Sequence, residues 1–278
     1  MSSILTNSSA LTALQNLNNT QRSLSKTQSE ISTGLKVASA ADNSTNWSVS
    51  TQMKSDNSVL GTIKASLKDN AAIIKATDAV VQQITTTITD IKTQLAQAAD
   101  NETGDYAEIN KSLAGLANTL TGLMKGASYN GVNLLDGTTA TLNVVSGLQD
   151  GTGKFLKIDT TLTESNLSTN ADIAKLTAPI EINSDTDIET AAKAADDALA
   201  AVRGLGAELG AVQNQIDAQT KFIEVLSDSL TNGVSAMVDA DMNEASTRLQ
   251  ALQTQQQLGV QSLSIANQNS QMILKLFQ

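Results

Sequence analysis

Apolar residues recur along this chain at intervals of seven. From Met53 the run is Leu60, Leu67, Ile74, Val81, Ile88 and Leu95, without a slip. A second seam is partly filled by Ile63, Ile84, Ile91 and Ala98, with Asn70 and Thr77 interrupting it. A strict repeat of seven marks helices that wind around one another in a left-handed supercoil. At about 1.5 Å per residue, the stretch from Met53 to Leu95 predicts a rod on the order of 60 Å long. A shorter helix is expected on Ile109, Leu113, Leu116, Leu120 and Leu123. The polar stretch 100–105 before it permits an antiparallel reversal.

The C-terminal part repeats the pattern through Ile188, Ala195, Val202, Leu209, Ile216, Ile223, Leu230 and Met237. The register then shifts by one residue, and Met242, Leu249, Leu252, Leu263, Ala266 and Ile273 continue it. Leu17, Leu24 and Ile31 give the N-terminal segment a similar stripe. Each stripe stays in water unless it packs on another helix or another chain. The exception is 130–187, where Asn130-Gly131, Asp136-Gly137 and the glycines from Gly147 to Gly153 cluster. There Thr141-Leu-Asn-Val-Val145 and Phe155-Leu-Lys-Ile-Asp159 flank a glycine-rich loop, which predicts a β-hairpin. The expected class is mainly α: long, heptad-patterned antiparallel helices with a small β-hairpin region in the middle. The two ends are chemically alike, so the termini are expected to meet.

Composition narrows the function. The chain has no His and no Cys, which removes His-dependent triads, imidazole ligands, disulfides, thiolate nucleophiles and structural zinc. Only 2% of residues are aromatic and there is a single Pro, which suits long helices better than an enzyme core of this size. The net charge of −10 argues against a nucleic-acid partner, and no apolar run is long enough to predict a membrane span. The N-terminus lacks the basic region of an export signal, its first cation being Arg22.

Catalytic look-alikes fail on spacing. Gly147 to Lys154 puts five residues before its Gly-Lys pair where a phosphate loop has four, and Phe155 replaces the metal-binding hydroxyl. Gly204-Leu-Gly206 with Gly210 follows no strand and lies in an Ala-rich heptad helix, where small residues suit close packing. Asp239-Ala-Asp241 with Glu244 lacks the glycine and spacing of a calcium loop and reads as a helix N-terminus. No catalytic, cofactor or metal site is expected.

Four segments resemble bacterial flagellins. Ser32-Thr-Gly-Leu-Lys-Val-Ala-Ser-Ala-Ala-Asp-Asn43, with Asn16-Leu-Asn18 upstream, is similar to that family's amino-terminal signature. Tyr129-Asn-Gly-Val-Asn-Leu-Leu-Asp-Gly137 is similar to its aromatic-Asn-Gly turn. Leu209-Gly-Ala-Val-Gln-Asn-Gln-Ile-Asp217 resembles its C-terminal helix motif, and Asp239-Ala-Asp241 with the Gln-rich tail resembles its last segment. The short centre resembles the short flagellins of alphaproteobacteria; the ending Leu276-Phe-Gln278 departs from the commoner aliphatic pair.

The resemblance implies a structural, non-enzymatic subunit of an extracellular filament, exported through the flagellar type III apparatus without a cleaved signal. It implies an export chaperone, a filament cap and hook-junction proteins as partners, besides other copies of the chain. Residues 1–45 and 236–278 would form an inner coiled-coil domain, packed through Leu17, Leu24, Ile31, Leu249, Leu252, Leu263 and Ile273. Residues 46–129 and 188–235 would form a rod domain. Its packing residues would be Met53, Leu60, Leu67, Ile74, Val81, Ile88, Leu95, Ile188, Val202, Leu209, Ile216, Ile223 and Leu230. Residues 130–187 would be the variable outer region, with hydroxyls from Thr160 to Thr169 as glycan acceptors. The other readings of the same helices are a hook–filament junction protein and a stand-alone coiled-coil binding protein. Receptor-activating flagellins carry a stretch similar to Gln-Arg-Val-Arg-Glu-Leu, onto which Thr89-Asp-Ile-Lys-Thr-Gln94 aligns. Asp90, Lys92, Thr93 and Gln94 make that stretch degenerate, which implies weak agonism of the mammalian Toll-like flagellin receptor.

Overall fold

The computed structural model describes the backbone of residues 7–101, 105–136, 141–149, 154–161, 167–178 and 180–276. It describes their side chains apart from 141–144, 146, 148–149, 154–161 and 269–276. The described elements are α1 (Ser8–Thr33), α2 (Ser44–Ala99), α3 (Ala107–Gly126), β1 (Ser128–Tyr129), β2 (Val132–Asn133), β3 (Thr141–Gln149), β4 (Lys154–Thr161), α4 (Ala171–Thr177), α5 (Asp185–Val238) and α6 (Met242–Leu276). They fall into two units: unit 1 is 1–57 with 228–278, and unit 2 is 58–227.

Unit 2 is built on the long seam. Leu60, Leu67, Ile74, Val81, Ile88 and Leu95 on α2 are all buried, as are Ile188, Ala195, Val202, Leu209, Ile216 and Ile223 on α5. The two helices run antiparallel. Lys64 pairs with Glu224 at 2.8 Å and Lys92 pairs with Asp196, so twenty-eight residues along α2 match twenty-eight back along α5. Thr77, an interruption of the second seam, is buried all the same. Its hydroxyl donates to the Ile73 carbonyl at 2.9 Å, which removes most of the cost of burying it. Gly206 and Gly210 of α5 behave differently from the close-packing expectation. A Cβ at Gly206 would sit 3.9 Å from Val81 Cγ1, an ordinary contact, and one at Gly210 would meet open space. Neither position needs glycine for its fit.

The stretch between the long helices carries more core than its glycines predict. Asn130 (φ 51°) and Gly131 (φ 80°) occupy the left-handed region in succession, the geometry of a two-residue hairpin turn joining β1 to β2. β3 and β4 pair antiparallel from Thr141↔Thr161 to Gln149↔Lys154, with an irregularity between Val145 and Gly147. The central glycines, 150–153, lie outside the described residues, as do 102–104 of the polar reversal and 162–166 of the hydroxyl-rich run.

Beyond the hairpin, α4 was not expected. Asn170 caps it, its side-chain oxygen accepting from Asp172 and Ile173 N–H, and Leu167, Ile173, Leu176 and Ile182 are fully buried together with Leu134 and Leu135. Seven residues with two apolar positions three apart give too short a pattern to announce a helix. Two asparagines secure this cluster. Asn110 exchanges two hydrogen bonds with the Ile182 backbone, at 2.9 and 3.1 Å. Asn133, buried, donates to the Met124 carbonyl at 3.0 Å and accepts from Leu135 N–H at 2.8 Å. Asn133→Ala strands both backbone groups, so the protein is expected to lose about 1–3 kcal/mol, measured by urea unfolding followed by circular dichroism.

A candidate assembly surface on unit 1

Unit 1 is built from the two ends of the chain. Asn7 starts α1, its side-chain oxygen accepting from Ala10 N–H at 3.1 Å and its amide donating to the Ala266 carbonyl of α6 at 3.0 Å. Further along, Gln256 on α6 donates to Gln21 on α1 at 2.7 Å, and Arg248 stands 4.0 Å from the buried Glu30. The order of these contacts makes α1 and α6 antiparallel.

Where α1 ends, the two flagellin-like end signatures meet. Gly34 (φ 72°) stops the helix in the left-handed conformation that suits glycine, and its N–H donates to the Glu30 carbonyl at 2.9 Å. Leu35 then bridges to Asp239. Lys36 and Val37 both donate to the Val238 carbonyl, at 2.7 and 3.2 Å, and Ala240 N–H returns a bond to the Gly34 carbonyl at 2.9 Å. Val37 and Val238 are buried beneath this clasp. Asp241 caps α6, accepting from Asn243 and Glu244 N–H at 2.8 and 3.3 Å, so the acidic triplet is a helix start. The Ser39 hydroxyl and backbone N–H, with help from the Lys26 charge, hold the Asp42 carboxyl below its ordinary range. Among the described residues no group of three or more acidic side chains is placed to hold a metal, and no helix is long and apolar enough to cross a membrane.

What unit 1 lacks is a core along most of its helices. Leu24 is buried, but Leu17, Ile31, Leu249, Leu252 and Leu263 are only half-buried; the Ile273 side chain lies outside the described residues. No residue of 8–23 or 246–268 is buried. Leu11, Leu258, Val260 and Ile265 are each more than half exposed, and Leu14, Trp47, Val49 and Met242 are also in water. Between α1 and α6 runs a groove of about 620 Å³, lined by small side chains such as Ser8, Thr12, Gly259 and Ala266. Leu17 approaches Gly259 there, a Cβ on which would lie 3.2 Å from the Leu17 side chain. So many exposed apolar side chains on a pair of long helices mark a surface made to be covered.

The charge is divided to match. Unit 1 has six Lys and Arg against seven Asp and Glu, whereas unit 2 has twelve against twenty-one. Unit 1 is thus close to neutral, and most of the chain's negative charge lies on unit 2. The packing residues assigned to the rod fall on both units. Met53 and Leu230, in unit 1, are half-buried, and the eleven others are the buried seam of unit 2. The stretch aligned above with the receptor-recognition segment of receptor-activating flagellins, residues 89–94, lies on α2 in unit 2. Ile91 is wholly buried, Asp90 and Thr93 are exposed, Gln94 is half-buried, and Lys92 is engaged by Asp196. Sequence reasoning did not find the clasp or the Glu30–Arg248 pair, because their partners lie some two hundred residues apart.

Two family models match this chain: the bacterial flagellin N-terminal helical region over residues 4–140, and the bacterial flagellin C-terminal helical region over 192–277. The chain is 42% identical to a flagellin of Brucella melitensis over the full length of both. It is 36% identical to flagellin C of Rhizobium meliloti, again over all of both chains, and 36% identical to flagellin FljM of Caulobacter vibrioides, covering 99% of that protein.

Proposed function

Because the chain belongs to the bacterial flagellin family, structural proteins that self-assemble into the extracellular flagellar filament for motility and are not enzymes, we propose that its copies join through the helical ends. Residues 1–45 and 236–278 form the inner domain, and Leu17, Leu24, Ile31, Leu249, Leu252, Leu263 and Ile273 are its packing positions. Residues 46–129 and 188–235 form the rod, with 130–187 as its outer region. The observation that carries this reading is the absence of any buried residue over 8–23 and 246–268, on helices that nevertheless expose leucine, valine and isoleucine. Ordering each residue's backbone costs about 1–2 kcal/mol, and helices without a core recover that only when a neighbouring copy covers them. Before assembly the chain travels with an export chaperone through the type III apparatus, without a cleaved signal, and adds beneath a cap distal to the hook-junction proteins.

Limited proteolysis tests the coupling of order to assembly. Monomer is expected to lose both ends and leave a core near 50–235, while the same protease spares the ends in seeded filaments seen by electron microscopy. Ends that resist in the monomer overturn it.

The stretch Asp90, Lys92, Thr93, Gln94 makes the protein a weak agonist of the Toll-like flagellin receptor. Aspartate in place of a central arginine removes a multi-donor fork and reverses its charge, and Asp196 occupies the one remaining cation. A receptor reporter is expected to respond weakly to the natural chain and more strongly to the combined variant Asp90→Arg, Thr93→Glu, Gln94→Leu. Strong signalling by the natural chain refutes the assignment.

A further inference from the structure

Two Asn-Gly pairs occur in this chain, Asn130-Gly131 and Asn232-Gly233, and a valine follows each. Both asparagines are exposed, so access of water does not distinguish them. Their backbones do. Asn130 and Gly131 are the two central residues of the turn between β1 and β2, at φ 51° and 80°. The ladder pairs are Tyr129 with Val132 and Ser128 with Asn133, so Gly131 is not among the paired residues. A Cβ at Gly131 would meet nothing within 4 Å. So short a two-stranded ladder opens at its tip at little cost, and glycine leaves the dihedral angles there wide freedom. Asn232 and Gly233 lie inside α5 instead. There the Gly233 N–H is committed to the Ser229 carbonyl one turn back, and a Cβ at Gly233 would lie 3.5 Å from Met53 Sδ.

We propose that Asn130 is a site of spontaneous covalent modification, its side chain cyclising onto the Gly131 nitrogen, and that Asn232 is protected from the same reaction by its helix. Solvent base takes the Gly131 amide proton, and the nitrogen attacks Asn130 Cγ. As the new N–Cγ bond forms, the Cγ–Nδ2 bond breaks and the side-chain nitrogen leaves as ammonia, protonated by water. The product is a five-membered succinimide, which water then opens at either carbonyl carbon. Opening at Cγ restores the main chain with aspartate at 130. Opening at the main-chain carbonyl leaves the chain running through Cγ, an isoaspartate. Neither step needs an oxidant or a reductant. Both products carry a carboxylate at neutral pH, so each event adds one negative charge to unit 2. The isoaspartate also puts an extra carbon into the main chain of a turn that two residues fill, which works against the pairing of Tyr129 with Val132.

The full chain is held in mildly alkaline buffer, folded or in guanidinium, and sampled over time. Trypsin then gives peptides 126–154 and 222–248, each with one Asn-Gly pair. In the folded chain, mass spectrometry is expected to find the gain of an amide turned to acid at least about tenfold faster at Asn130 than at Asn232. That ratio corresponds to about 1.4 kcal/mol for opening the helix. In guanidinium, where neither turn nor helix persists, the two Asn-Gly-Val segments are expected to react at similar rates. Asn130→Gly keeps a residue suited to the left-handed turn, so this variant is expected to melt like the natural chain while its peptide 126–154 keeps its mass. An Asn130 that retains its amide in the folded chain while reacting in guanidinium overturns the proposal, and so do equal rates at the two sites of the folded chain. A mass gain that persists in Asn130→Gly belongs to another residue and overturns it as well.

Discussion

Replacing Leu67, Ile74 or Ile223 by Asp is expected to lower the melting temperature of unit 2 by about 6–20 °C at neutral pH, read by circular dichroism at the helical band. These side chains are at most 2% exposed, so the substituted carboxyl arrives in an apolar seam. Stranding a charge there costs about 3–5 kcal/mol, and each kcal/mol moves the midpoint of a unit this size by about 2–4 °C. That loss is a large share of the roughly 5–15 kcal/mol by which domains are stable at all. Burial raises the introduced carboxyl's pKa, so the penalty is small where it stays protonated and grows as the pH rises through that raised value. A midpoint that moves by less than about 2 °C in all three variants would show that the seam is not the core of the unit.

Leu17→Asp and Leu263→Asp are expected to do the reverse. Both residues are half-buried on unit 1, in helices whose described residues over 8–23 and 246–268 include none that is buried. In the monomer the new carboxylate stays in water, and the melting midpoint of unit 2 shifts by no more than about 2 °C. In a filament the same position is covered by a neighbouring copy. A desolvated charge without a partner then costs about 3–5 kcal/mol per subunit contact, or a factor of about a hundred to several thousand in each association step. Pelleting and electron microscopy are expected to find no filaments at concentrations where the natural chain assembles fully. Filaments of normal yield from either variant would remove the helical ends from the subunit interface.

The two series contrast because the same sequence signal serves two different surfaces. Heptad stripes announced helices along α1, α2, α5 and α6, and the fold class follows from them, since an apolar residue at every seventh position forces a helix to seek a partner. Absence of His and Cys likewise removes most catalytic chemistry. Periodicity does not name the partner, however. Leu67 and Leu17 hold the same kind of position in the same kind of stripe, yet the first is sealed within its own unit and the second is left half in water.

Local chemistry was legible where a few adjacent residues fix a conformation. Asn130-Gly131 turns because both residues tolerate the left-handed region, and Asp241 starts α6 because a carboxylate satisfies free N–H groups at a helix end. Contacts between distant segments were not legible. The clasp of Gly34, Lys36 and Val37 with Val238 and Ala240 consists of backbone bonds, which leave no mark in the side-chain pattern. Nor did the pattern reveal α4, whose Ile173 and Leu176 are buried beside Leu134 and Leu135 although its barely two turns are too short to show a period. By itself the sequence determined the helices, the turns, the family and the chemistry that is missing, because each depends on neighbours in the chain. Only the tertiary structure decided which stripes are filled and which are left for another copy, because burial depends on every segment at once.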